Sequence, residues 1–115
     1  MKYRSTMNDQ ERYWHDEGFT RGSDIASWFS IDRIDSDGTV YLSTTDGAIL
    51  PWEDAVTAAY DAEDNDRQFT PFEFTAAKIN SSDNPDAYWN AYEQGISEGI
   101  LTELEAKVSA YQENQ

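Results

Sequence analysis

Between Ile34 and Asp66 the chain places nine carboxylates and not one lysine or arginine. The densest stretch is DAEDND, Asp61 to Asp66, where four carboxylates and one amide occupy six positions. Side chains of this kind hold a hard cation, work in pairs as general acid and base, or present negative charge to a partner. A calcium loop of the EF-hand type needs acids at positions 1, 3 and 5, glycine at 6 and glutamate at 12. Asp35, Asp37 and Gly38 fit positions 3, 5 and 6, but Arg33 then stands at 1 and Thr44 at 12. A frame starting at Asp61 puts Asp66 where the glycine belongs and Phe72 where the glutamate belongs. Neither stretch is a calcium loop, so no bound metal and no cofactor is expected.

The remaining catalytic patterns fail on spacing. Pro85-Asp86 followed by Glu105-Ala106-Lys107 has the letters of a PD-(D/E)xK nuclease. Its two acids fall on one predicted helix, roughly 28 Å apart along the axis, too far to share a metal. His15 is the one histidine, and its neighbours Asp16 and Glu17 do not face it on a helix. It reads as a surface or half-buried structural residue. There is no cysteine, no G-x-S-x-G and no phosphate loop. Carboxylate pairs are abundant by composition alone, so none of them marks a glycosidase. Trp14, Trp28, Trp52 and Trp89 fall on or beside apolar stripes and read as core. The expectation is a protein that is not an enzyme.

The elements that carry these residues can be read from periodicity and punctuation. Asn8 with Glu11 is a capping pair, and Trp14, Gly18, Gly22, Ile25 and Phe29 recur at helical spacing, so a helix is predicted over about 9–28. FSIDRI, TVYLSTT and AILPW are short and rich in β-branched and aromatic residues, separated by DSDG and TDG, in which Asp-Gly favours a tight turn. They predict an antiparallel meander of two or three strands. Ile31 and Ile34 are not two apart, which calls for a bulge or an early strand end. Pro51 opens a second helix with Trp52, Ala55, Val56, Ala59 and Tyr60 on one side.

FTPFEF predicts a third helix over 71–80. Thr70 is its N-cap, Pro71 its first residue and Glu73 the capping-box acid, with Phe69 and Phe74 as a hydrophobic staple. Asn84 and Pro85 start the last helix, expected over 85–110 with Trp89, Ile96, Ile100, Leu104 and Tyr111 on one face and Glu98 on the other. Glu93 falls inside the apolar arc without explanation. The first and last helices both give Tyr-Trp and then a Gly-x-x-x-Gly pair, Gly18/Gly22 and Gly95/Gly99. Glycine inside a helix costs roughly 1 kcal/mol against alanine. Such pairs predict close backbone contact, either with each other or with a second copy of the chain as a homodimer. The fold class expected is α+β in one domain over 1–115, with residues 1–7 a basic tail and residues 111–115 a frayed end.

Length, aromatic content and charge then bound the partner. Aromatic residues make up 14% of the 115, enough for a folded aromatic-rich core and too many for a disordered acidic chain. The N-terminal MKYRSTMNDQER has no apolar run behind its charges, so no signal peptide is expected, and no stretch is long enough for a membrane span. Twenty-three acidic residues against eight basic ones give a net charge of −15. That field repels nucleic acid and anionic membrane and attracts basic proteins.

In size, acidity and lack of catalytic motifs the chain resembles the small acidic DNA-mimic proteins of phages and mobile elements. The resemblance is one of class and rests on whole-chain composition. It implies an inhibitor in the cytoplasm of a bacterial host that binds a basic nucleic-acid-binding protein, of restriction, CRISPR, repair or nucleoid type, in place of DNA. The contact residues expected are Asp35, Asp37 and Asp46 of the hairpins and Glu53, Asp54, Asp61, Glu63, Asp64 and Asp66 of the second helix and its end. Two other readings use the same charge. In one, exposed aromatics carry binding and the acids serve solubility and steering. In the other, the acids adapt the protein to high salt, which the 13 aspartates, ten glutamates and three lysines would suit.

Overall fold

The computed structural model describes residues 8–114. It is an α+β fold in the order helix α1 (Asp9–Ala26), strands β1 (Ser30–Ile34), β2 (Val40–Ser43) and β3 (Ile49–Pro51), then helices α2 (Trp52–Asp66), α3 (Phe72–Asn80) and α4 (Pro85–Glu113). The basic tail expected at 1–7 lies outside the described residues. The last helix runs past its expected end near residue 110: α4 continues to Glu113, and Asn114 closes the last turn by donating its N–H to the Tyr111 carbonyl.

Asn8 caps α1 as expected. Its side-chain oxygen accepts the Glu11 N–H at 2.9 Å, and the Glu11 carboxylate accepts the Asn8 N–H at 3.4 Å. The helix stops at Ala26, two residues early, because the next turn swings Phe29 into the core and leaves Trp28 44% exposed. Trp28 is thus not the core residue its position suggested, whereas Trp14 is buried and Trp52 and Trp89 pack partly buried against the core. The three strands pair in sequence order as an antiparallel meander. Its register slips between Ile31 and Arg33, the first of the two alternatives that the uneven isoleucine spacing left open. Gly38 and Gly47 take φ of 89° and 91° at the two turns, a conformation glycine adopts without steric cost.

The glycine pairs join α1 to α4. A methyl group at Gly18 would overlap the Tyr92 carbonyl oxygen, and one at Gly22 would overlap that of Ile96. Reciprocally, Gly95 faces the His15 carbonyl and Gly99 that of Phe19. The contacts advance in step along both helices, so α1 and α4 run parallel. Pairing Gly18 with Gly95 and Gly22 with Gly99 maps one set of contacts onto the other, giving the seam a local two-fold symmetry. Backbones this close exchange Cα–H···O contacts and dispersion along the glycine stretch. All four glycines are therefore used within one chain, the first of the two arrangements expected for them.

Ile25, Leu42, Ile79, Ile100 and Leu104 are fully buried around this seam and the sheet, each contributing about 1.5–3 kcal/mol of transfer free energy. His15 is fully buried as well, which corrects the expectation of a surface or half-buried residue. Its Nε2 meets the Glu98 carboxylate and its Nδ1 lies 3.3 Å from Asp16 Oδ1. Glu98, assigned to the outer face of α4, is drawn in by this histidine because α1 lies so close. Pro51 sits one position before α2 as its extended N-cap instead of within the first turn.

The FTPFEF expectation is corrected too. The N-cap of α3 is Pro71, no side chain caps it, and the helix begins at Phe72. The staple pair points outward, with Phe69 83% and Phe74 66% exposed. Phe72 takes the inner position instead, among Trp89 and Tyr92 at ring distances of 6.0 and 6.3 Å, with the Arg21 and Arg67 guanidinium carbons 5.3 and 4.4 Å from its ring centre. One residue of shift, set by where the arginines stack, undoes the box and the staple together.

Candidate functional site

The acids of the 35–66 region separate into three kinds once their surroundings are known. Asp37 and Asp46 build turns. Asp37 accepts the Thr39 N–H at 3.0 Å, and that backbone bond holds its carboxyl below the usual range. Asp46 accepts the Thr44 hydroxyl and, at 3.4 Å, the Ala48 N–H, with the same consequence. Asp35 lies 3.1 Å from Arg33 Nε, beside the ring of Tyr41 on which that guanidinium stacks at 4.0 Å. All three have local structural work, and Asp37 and Asp46 remain exposed while doing it.

The second kind is internal. Glu63, expected on the contact surface, is only 4% exposed. One of its oxygens accepts from Arg21 Nε at 2.6 Å and Arg67 Nε at 2.7 Å, and the other accepts from Arg67 Nη2 at 2.7 Å. Burial opposes its ionisation, but the Arg67 and Arg21 hydrogen bonds outweigh that and hold the carboxyl below its ordinary range. The correction has a physical reason: α2 presents position 63 to Arg21 of α1, a partner 42 residues away that the local sequence does not reveal. Asp66 and Asp64 sit at the edge of the same network, 3.6 Å from Arg21 and 3.7 Å from Arg67. Glu93, unexplained on the helical wheel, reaches Arg67 at 3.5 Å.

The third kind faces solvent without an ion pair among the described residues: Glu53, Asp54 and Asp61. Glu53 and Asp54 occupy the first turn of α2, where the helix dipole favours them. They share a shallow concavity with Gly38 and Thr39 of the first hairpin turn. Asp61 lies about 12 Å further along the axis and joins Asp46 and Asp66 around a second depression. The expected surface is thus two acidic patches at opposite ends of α2.

The second depression is the larger feature, a cleft of about 570 Å³ between the β2–β3 turn and the second half of α2. Phe29, Leu50, Ala58 and Ala62 form its apolar lining, and Trp28, partly exposed, and Phe69, largely exposed, stand at it. No lysine or arginine lines it. Reading the sequence missed these two aromatics. The outward turn of Trp28 follows from the early end of α1, and that of Phe69 from the late start of α3. Neither boundary has a strong local signal.

Among the described residues no group of three or more His, Asp or Glu stands where it could hold a metal ion, and no helix is long and apolar enough to cross a membrane. The chain matches no protein-family model, no curated protein and no solved structure.

Proposed function

We propose that the protein is a non-enzymatic binder of a basic protein, and that it acts as an inhibitor by covering the partner's nucleic-acid-binding surface. The observation that carries this reading is the cleft beside Trp28 and Phe69, rimmed by Asp46, Asp61 and Asp66 and lined by no base. Exposed aromatics beside an apolar depression supply contact energy, and a surrounding ring of one charge supplies steering and partner choice. The field of a chain carrying −15 excludes nucleic acid and anionic lipid as partners and favours a basic surface of the kind that holds DNA. The protein imitates the charge of a nucleic acid without its regular spacing. The α2 row is interrupted where Glu63 turns inward and Arg67 enters, and aromatic contacts take over there.

The test is competition. A panel of basic DNA-binding proteins, each loaded with a fluorescent duplex, is titrated with the protein at about 50 mM and about 200 mM salt, a span over which charge-driven complexes lose affinity steeply. Release of the duplex from at least one target, weakening sharply with salt, is the expected result. A target that carries duplex and protein together, or a panel of which no member binds at the lower salt, would overturn the proposal.

A further inference from the structure

Trp28 separates two clefts of opposite character. On one side lies the apolar cleft already described. On the other lies a depression of about 550 Å³ at the end of α1, lined by Glu17, Thr20, Asp24 and Asp66 among others. The one base on it is Arg21, and its guanidinium is committed to Glu63 at 2.6 Å and Asp66 at 3.6 Å. Trp28 and Asp66 line both clefts. The indole is 44% exposed and stands between a greasy hollow and an acidic one.

We infer that the two clefts together read a short segment of the partner, in which an aliphatic or aromatic side chain lies within two residues of a lysine or arginine. This rests on the proposed binding of a basic protein and adds the chemistry that is recognised. The apolar side chain enters between Leu50, Ala62 and Phe69, where it is removed from water. The cation enters the neighbouring cleft, where Glu17, Asp24 and Asp66 pair with it and the face of Trp28 offers a cation–π contact. Each cleft is of ordinary size for a buried side-chain-scale ligand. In an extended segment, residues i and i+2 point the same way roughly 6.8 Å apart, so one strand can fill both hollows. A second copy of this chain does not fit the role, because two chains of charge −15 repel. Charge alone does not account for the site either, since a purely electrostatic contact has no use for an exposed indole beside an apolar hollow.

Three synthetic twelve-residue peptides decide the matter. The first repeats Arg-Arg-Leu-Phe, which sets a base two residues from each apolar side chain, the second replaces Leu and Phe by Ser, and the third replaces Arg by Ser. Binding is followed on the ¹⁵N-labelled protein through the Trp28 indole N–H, assigned by its loss in Trp28→Phe. The first peptide is expected to move that resonance and to bind about tenfold tighter than the second, the third not to bind, and Phe69→Ser to erase the preference. Phe69 is 83% exposed, so this variant keeps its fold even if a Trp28→Ala variant does not. Equal binding of the two arginine peptides would overturn the inference while leaving a binder of basic proteins. Equal binding of the first and third would overturn the paired feature and the role given to charge. Failure of both arginine peptides would overturn this inference and the proposed function together.

Discussion

The seam between α1 and α4 and the elbow from Asp61 to Phe72 solve opposite problems. In the seam, four glycines remove every side chain and two backbones touch. In the elbow, a carboxylate is pulled inside between two arginines while two phenylalanines on either side of Phe72, Phe69 and Phe74, are left outside. One region buries what is smallest and the other buries what is most charged. Steric fit governs the first. The second depends on one partner close in sequence and one distant from it, because Glu63 is tolerable inside only while both Arg67 and Arg21 reach it.

The sharpest way to break this contrast is to add one methyl group to the seam. Gly95→Ala places a Cβ against the His15 carbonyl, a rigid backbone atom that cannot step aside. Helix propensity alone would make alanine stabilising by roughly 1 kcal/mol. The expected result has the opposite sign, a loss of about 3 kcal/mol or more in urea unfolding as the helices are forced apart. Gly22→Ala should behave alike, since its Cβ would meet the Ile96 carbonyl. A variant more stable than the parent would show that the seam is not formed.

The elbow yields a smaller effect, and it depends on which acid is changed. Glu63→Gln leaves two arginines facing a neutral group and is expected to cost about 2–3 kcal/mol, somewhat less than a wholly buried pair because both guanidinium groups keep some solvent. Asp61→Asn, two residues earlier and exposed, should change stability by less than about 0.5 kcal/mol. Thermal or urea unfolding of the two variants side by side checks the split. If they lose equally, the inward assignment of Glu63 is wrong.

Acid titration isolates the charge of Glu63 from its shape. The folded-state pKa of Glu63 lies below its ordinary value. Its contribution is therefore complete above the ordinary carboxylate range, about 4.3, and is lost as pH falls through the folded value. The stability gap between the parent and Glu63→Gln should be widest at neutral pH and close on acidification, since a protonated Glu63 resembles glutamine. A Glu63 gap that persists unchanged well below pH 4 would remove the charge from the explanation and leave only shape.

These differences also explain what was legible in the sequence. The glycine pairs announced a close contact because no other residue type serves there, and the Asn8 capping box announced a helix start because both partners lie within four residues. The bulge at Ile31–Arg33 followed from a break in period. The position of Glu63 was hidden. Its identity as an acid within DAEDND suggests solvent, and Arg21, brought up by the packing of α1 on α2, joins Arg67 in holding it inward. His15 was hidden for the same reason, since Glu98 reaches it across the seam. The candidate cleft was least legible of all. Trp28 and Phe69 line it because one helix ends two residues early and another begins one residue late, and boundaries of that fineness are set by tertiary contacts.

Phe69 offers the smallest effect and the closest test of that point. In the capping-box geometry its ring would pack on Phe74 and fasten the start of α3, so removing it would cost an appreciable fraction of a cap, about 0.5–1 kcal/mol. In the structure the ring is 83% exposed and the helix starts instead on Phe72, held between Arg21 and Arg67. Phe69→Ser is then expected to leave the unfolding midpoint unchanged within about 0.5 kcal/mol while weakening attachment of the Arg-Arg-Leu-Phe peptide. Stability and binding move apart only if the ring serves a partner. A variant that loses stability and keeps its binding would return Phe69 to the staple and leave the cleft without its outer wall.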